Sequence, residues 1–411
     1  MLYLIIAILV FDFLIGRLLS ILNARREKLP VPEEIVDIYS EEKHREQVSY
    51  AADNRQLSWL TNSLSLLLML LLLCLGGFRQ LDIWVHQWTE AINSPVFRDM
   101  VMAVLYFVIL SVLETLLSLP LEIWSTFHIE AKYGFNKTTP RTFVLDQIKS
   151  LALSILLTTV LMSLIVVVYD YLPGWFWLIA WAAVSMVSLF VSYFYSQLIV
   201  PIYNKQTPLE QGQLREQIET FAKSVNFDIS DIYVMDSSKR STHANAYFTG
   251  WGRRKRIVLY DTLIEQLSNE QIVAVLSHEI GHYQRHHTLK RILSSLALNL
   301  FMFMLLGLVL HYNLFAGAIG CVDSLHVNMF IFSIVYSPLN MLLSLIGNYF
   351  SRRHEYEADE FALRNGKGKD LVSALKVLSA NSLSNPNPHP WFVFFHYSHP
   401  TLVERIRHLS S

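Results

Sequence analysis

The sequence predicts an α-helical polytopic membrane protein, with seven spans and a small α+β domain on the cytoplasmic side. Three observations carry that expectation. The 411-residue chain is 53% hydrophobic and only 16% charged, against about 25% charged residues in soluble proteins. Its apolar residues are gathered into blocks long enough to cross a bilayer. Lysine and arginine crowd every second connection between those blocks. The balance of 33 basic and 34 acidic residues, a net charge of -1, excludes a nucleic-acid partner, since nothing would draw a polyanion. Two cysteines, Cys74 and Cys321, exclude a disulfide-rich scaffold and any multi-cysteine metal site.

The expected spans are residues 2–22, 58–78, 100–124, 150–171, 175–199, 291–311 and 327–350. Each is near or above the ~20 residues that cover ~30 Å of hydrocarbon as a helix. The first reads as an uncleaved anchor. Asp12 interrupts it, its basic cluster Arg25, Arg26 and Lys28 follows it, and no small-residue cleavage site is present. The second is almost unbroken leucine from Leu64 to Leu75. Basic residues fill the connections after the first and third spans, residues 200–290 and the tail, whereas the loop 312–326 and the turn at Pro173 have none. The N-terminus is therefore expected outside or in the lumen, and both long polar segments in the cytoplasm.

The chain divides accordingly. Residues 1–200 hold five spans, 201–290 a polar segment, 291–350 two more spans, and 351–411 a second polar segment ending in a helix. Within the first polar segment, Pro201–Pro208 is rich in turn residues and Leu209–Val225 reads as a helix. Asp231–Asp236, Asn245–Thr249 and Arg256–Tyr260 read as strands. Ser268 caps a helix running through His282. Ionisable residues inside spans are few: Asp12, Arg17, Glu114 and Glu122. Arg17 and Glu122 lie near span ends and reach for the interface. Glu114 lies deep and needs a polar partner, a water-filled interior or a place in an ion pathway.

The sharpest chemical signal is His278-Glu-Ile-Gly-His282. On a helix, residues four apart share a face, so both imidazoles reach one zinc, and Glu279 stands beside the metal's open position. His286 and His287, beside Arg285 and Lys290, read as interfacial polar residues. After the last span comes Arg352-Arg-His-Glu355-Tyr-Glu-Ala-Asp359. Glu355 and Asp359 share a helix face and Glu357 points away. Either Glu355 is the third ligand, with Asp359 bonded to a ligand histidine, or the stretch is a solvated charged helix start.

This pairing of HExxH with a downstream ExxxD resembles the gluzincin metallopeptidases. With seven spans it resembles the CAAX prenyl protease 1 family. The segments that carry the likeness are Pro201–Leu209, Ser238–Phe248, Lys255–Leu263, HEIGH, Glu355–Ala362 and His396–Pro400. The resemblance implies seven helices enclosing a water-filled chamber, with a gluzincin-type zinc metallopeptidase domain capping its cytoplasmic end. It implies one Zn2+ per chain, with His278, His282 and Glu355 as ligands. Glu279, Asp359 and His399 would be catalytic: base, proton donor or ligand support, and oxyanion stabiliser. Asn245 and Arg405 would bind substrate. By their residues alone, Asn245 also reads as a turn residue and His399 as a helix-start residue. The implied partners are a prenylated or membrane-associated peptide or protein and the lipid bilayer. The short outer loops favour a bacterial plasma membrane, or the endoplasmic reticulum membrane if the source is eukaryotic. A general quality-control protease of membrane proteins, and a transporter with a vestigial metal site, are the rival readings.

Overall fold

A computed structural model describes residues 1–249, 255–312, 314–321 and 324–410. Among these, seven helices are long and apolar enough to cross a membrane: Leu2–Arg26, Glu41–Cys74, Pro95–Glu130, Pro140–Tyr171, Pro173–Tyr203, His287–His311 and Leu325–Arg364. Their apolar windows coincide with the expected spans, but several helices run well beyond those windows toward the end that carries the mixed sheet. The last has 40 residues, about 60 Å at 1.5 Å per residue, so it carries Glu355 and Asp359 clear of the bilayer without a break. The second span ends earlier than expected. Its helix stops at Cys74 because Gly76 turns the chain with a left-handed φ of 73°. A separate amphipathic helix, Gly77–Thr89, follows.

Contact between the spans is concentrated at one end. Ile5, Leu73, Val85, Tyr106, Val168, Phe176, Phe303, Val309 and Val327 belong to one buried cluster. In the expected topology these residues lie at the outer ends of the spans. Along the most apolar window of each span only 6–17% of residues are buried. Most of each helix therefore faces lipid or an open interior rather than its neighbours. The intramembrane charges find polar company where they are packed. Arg17 donates to Ser63 Oγ at 2.9 Å and lies 4.4 Å over the Trp59 ring, and Asp12 accepts from Ser337.

The polar segment folds around four strands: β1 (Gln206–Pro208), β2 (Asp231–Met235), β3 (Ala246–Thr249) and β4 (Arg256–Tyr260). Their order is β1-β2-β4-β3, with β2 and β4 parallel and the other pairs antiparallel. β1 lies in the stretch read as a turn; three residues are too few to show a period. The helix expected from Leu209 starts later, at Gln213, because Leu209 N–H still bonds Ile232 O at 2.8 Å. Ile257, Val258 and Leu259 are all fully buried, since helices or other chain cover both faces of central β4. Ile232, Ile257 and Leu259 pack on Ile272, Val273 and Leu276 of the helix that carries HEIGH. β1 and β3 are the two edge strands, and among the described residues no strand pairs with the outer edge of β3.

Candidate active site

The HEIGH helix spans Asn269–Gln284. Its start is fixed by a capping box: Ser268 Oγ accepts from Gln271 N–H, and Gln271 Oε1 accepts from Ser268 N–H at 2.9 Å. Such caps contribute about 1 kcal/mol and set the rotation that aims His278 and His282 away from the sheet. Gly281 then sets how closely this helix meets Leu325–Arg364. A Cβ there would lie 3.0 Å from Phe361 Cβ and 3.1 Å from Ala358 Cα. The two helices cross at contact distance, which brings Glu355 under both histidines.

His278 Nε2 lies 3.2 Å from His282 Nε2 and 3.3 Å from Glu355 Oε2, and His282 Nε2 lies 3.2 Å from Glu355 Oε1. Among the described residues they are the one trio of such side chains placed to share a metal ion. His278 gives its Nδ1 proton to Asp359 Oδ1, 2.8 Å away, so its Nε2 turns a lone pair to the centre. Buried Glu355 Oε2 accepts no hydrogen bond. Electron-rich atoms held this close need a proton or a metal cation between them. Zinc at about 2.0–2.2 Å from each donor would separate tetrahedral ligands by about 3.4 Å, so the donor set fits that ion. Burial and the Arg405 charge push the His278 imidazole down, but Asp359 and Glu355 outweigh them and raise it to about 8. The centre attracts positive charge.

The surrounding residues hold these donors in place. Arg405 is buried and forks onto Asp359, Nε to Oδ2 at 2.9 Å and Nη2 to Oδ1 at 2.6 Å. Burial works against its charge, but Asp359 raises its pKa further. The guanidinium expected at the substrate is thus engaged beneath His278, while its side chain also helps line a cavity of about 260 Å³ with Thr242, Ala244 and Pro400. His399 is exposed, with Nε2 3.3 Å from Glu355 Oε1 and Nδ1 2.9 Å from Ser398 Oγ. Although much of the ring is open to solvent, the protein packed against its inner side lowers its pKa by excluding water; Glu355 opposes the shift, and Arg405, His278 and His282 add to it. Asn245 is exposed at the start of β3, where its Oδ1 accepts from Ala246 N–H at 2.8 Å. Glu279 is half-buried and, among the described residues, its side chain makes no hydrogen bond.

Two residues were missed. His287 is buried at 4% exposure, with Nδ1 2.9 Å from His282 Nδ1 and Nε2 3.0 Å from Glu357 Oε2. It is buried rather than at an interface, and Glu357, pointing away from Glu355 and Asp359 as expected, meets it. Helical spacing from His282 singles out His286. That residue instead breaks the helix with a left-handed φ of 56°, and the break folds His287 back onto His282. A five-residue separation carries no periodic signal that would have revealed it.

The comparisons with known proteins agree with this arrangement. Residues 20–205 match the family described as "CAAX prenyl protease N-terminal, five membrane helices", and residues 208–411 match "Peptidase family M48". A CAAX prenyl protease 1 homolog of Oryza sativa subsp. japonica is 34% identical, over 98% of this chain and 95% of its own. The Homo sapiens homolog is 32% identical, over 93% and 89%. The crystal structure of S. mikatae Ste24p superposes with a TM-score of 0.92 at 30% identity, covering 99% of this chain and 98% of that one. The fold is thus shared over nearly the whole length, and the chain belongs to the CAAX prenyl protease 1 family as an M48 zinc metallopeptidase of the membrane.

Proposed function

We propose that this membrane metallopeptidase removes the C-terminal aaX tripeptide from prenylated CaaX proteins, using one zinc ion per chain held by His278, His282 and Glu355. The observation that carries the reading is the placement of this donor trio. It sits where the last spanning helix leaves its apolar stretch, and Arg405 beside it shares a cavity with Thr242 and Ala244 of the segment leading into edge strand β3. An extended peptide would add to that edge, main chain to main chain, with Asn245 holding its backbone. Arg405, lining the adjoining cavity, contributes its charge to the peptide's C-terminal side as well as fixing Asp359. Zinc in such a site polarises the scissile carbonyl and makes the attacking water more acidic. Glu279, unengaged by neighbours, takes the water's proton and passes it to the leaving amine. His399 donates to the developing oxyanion. Asp359, with both oxygens engaged by His278 and Arg405, keeps His278 in the Nδ1–H form rather than donating a proton itself.

The isoprenoid is the physical reason to place such chemistry at a membrane. Each buried CH₂ contributes up to about 0.8 kcal/mol, so a farnesyl chain lying among apolar spans anchors an otherwise weakly held tetrapeptide. Much of that binding is common to ground and transition states and appears in KM. The catalytic side faces the cytoplasm in this reading. The preference for a bacterial plasma membrane rests on the short outer loops alone, while the relatives named above are eukaryotic; in a eukaryote the endoplasmic reticulum membrane takes its place. The test compares kcat/KM for matched farnesylated and unmodified CaaX peptides in detergent. A preference for the lipidated peptide supports the reading. Equal values with both peptides soluble would leave a membrane metallopeptidase acting on unprenylated, quality-control substrates.

A further inference from the structure

Resting on that reading of the zinc ligands, we propose that His287, held by Glu357, is the positioning residue that fixes which nitrogen of His282 faces the metal. The argument follows the protons. Glu357 Oε2 lies 3.0 Å from His287 Nε2. A carboxylate accepts, so His287 carries its proton on Nε2. A neutral imidazole with Nε2–H has a lone pair on Nδ1, which lies 2.9 Å from His282 Nδ1. That contact needs one proton, and His282 supplies it. His282 then has its lone pair on Nε2, the atom 3.2 Å from both His278 Nε2 and Glu355 Oε1. A reversed chain, with His287 donating through Nδ1, would put the His282 proton on Nε2 and aim N–H at the cation.

The two ligand histidines are therefore oriented by different devices. His278 is held by the carboxylate of Asp359 directly. His282 is held by a carboxylate acting through a second imidazole. That imidazole has little freedom to turn: it is buried and stacks on His354 with centroids 4.1 Å apart and planes 14° apart. Glu357 is anchored in turn, with Oε1 3.4 Å from Arg353 Nε. The helix break at His286 brings His287 to this position.

The decisive pair of variants is His287→Gln and His287→Phe, with zinc affinity measured by competition against a chromogenic chelator in the full-length detergent-solubilised protein. Gln retains an acceptor for His282 Nδ1–H and should bind zinc within a few-fold of wild type. Phe retains the stacking ring and the apolar volume but has no acceptor, and should lose about 10–100-fold. The cobalt-substituted Phe variant should also show an altered d–d absorption spectrum. If ring packing were the only role, Phe would match or surpass Gln. That order, or equal affinities in the two variants, would overturn the inference. Should His287→Phe fail to fold, Glu357→Gln against Glu357→Leu repeats the test one link away. Gln accepts from His287 Nε2–H and should retain affinity, Leu should weaken it, and unchanged affinity in Leu would overturn the inference. Failure of the underlying ligand reading looks different: His282→Ala would itself keep zinc at wild-type affinity.

Discussion

Glu279 stands alone among the acids of the centre: Glu355 and Asp359 are buried against histidines and Arg405, whereas Glu279 has no side-chain partner among the described residues. An unengaged carboxylate can rotate between accepting and returning a proton. Glu279→Gln is expected to keep full zinc content and an unchanged melting temperature while kcat falls by about 10²–10⁴-fold. Near-normal peptide cleavage by this variant, with metal content checked by atomic absorption, would remove Glu279 as the base. Asp359→Asn should act differently, because both of its oxygens are used, one by His278 and both by Arg405. It should weaken zinc binding about 10–100-fold, and retention of wild-type affinity by equilibrium dialysis would show that Arg405 alone positions His278. His278, His282, Glu355 and Asp359 were readable from spacing because each pair sits four residues apart on a helix. His287 and Glu357 were not, because a left-handed residue and a contact 70 positions apart leave no periodic trace.

The element that decides the site is the crossing of the HEIGH helix with Leu325–Arg364. Ala358 and Ala362 are fully buried on one side, and Gly281 offers no Cβ on the other. Gly281→Ala would put a methyl carbon 3.1 Å from Ala358 Cα and 3.2 Å from Ala358 O, and backbone cannot swing aside as a side chain can. The helices must part by a few tenths of an ångström. The variant should lose about 1–3 kcal/mol of stability, as overpacked interfaces do. It should also bind zinc several-fold more weakly, because Glu355 moves away from both histidines. Gly317→Ala, where an added Cβ meets nothing within 4 Å, should melt within a degree or two of wild type. Equal melting points and zinc affinities for the two variants, by thermal scan and chelator competition, would refute the close-approach account. The motif's glycine was visible in the sequence, but its use was not: only the crossing partner shows why the position must be small. The expected strands were readable from β-branched and aromatic runs, while three-residue β1 and the helix Gly77–Thr89 were hidden. One is too short for a pattern, and the other follows a leucine-rich span whose hydropathy masks the break at Gly76.

At the scale of the molecule, the spans converge on a single apolar cluster while the metallopeptidase domain gathers elements from both halves of the chain at the opposite end. Asp82 strengthens the cluster end. It is buried and accepts from His326 at 2.9 Å and from Ser324 at 3.3 Å, joining the helix after the second span to the start of the last. Opposite ends of the same helices thus have opposite character, and in the proposed reading the lysine- and arginine-rich domain end is the cytoplasmic one. Cys74 and Cys321 are free thiols, the first exposed, and both lie toward the cluster end. In a variant with both changed to Ser, Asn93→Cys should react with a membrane-impermeant maleimide added outside intact cells, whereas Lys369→Cys should react only after permeabilisation. Both positions are exposed, so reactivity reports sidedness rather than burial. Labelling of Lys369→Cys from outside, with Asn93→Cys protected, would invert the topology. The zinc centre would then face away from the cytoplasm, and the proposal that newly prenylated cytoplasmic tails reach it directly would fall with the topology, leaving the chemistry of the site intact.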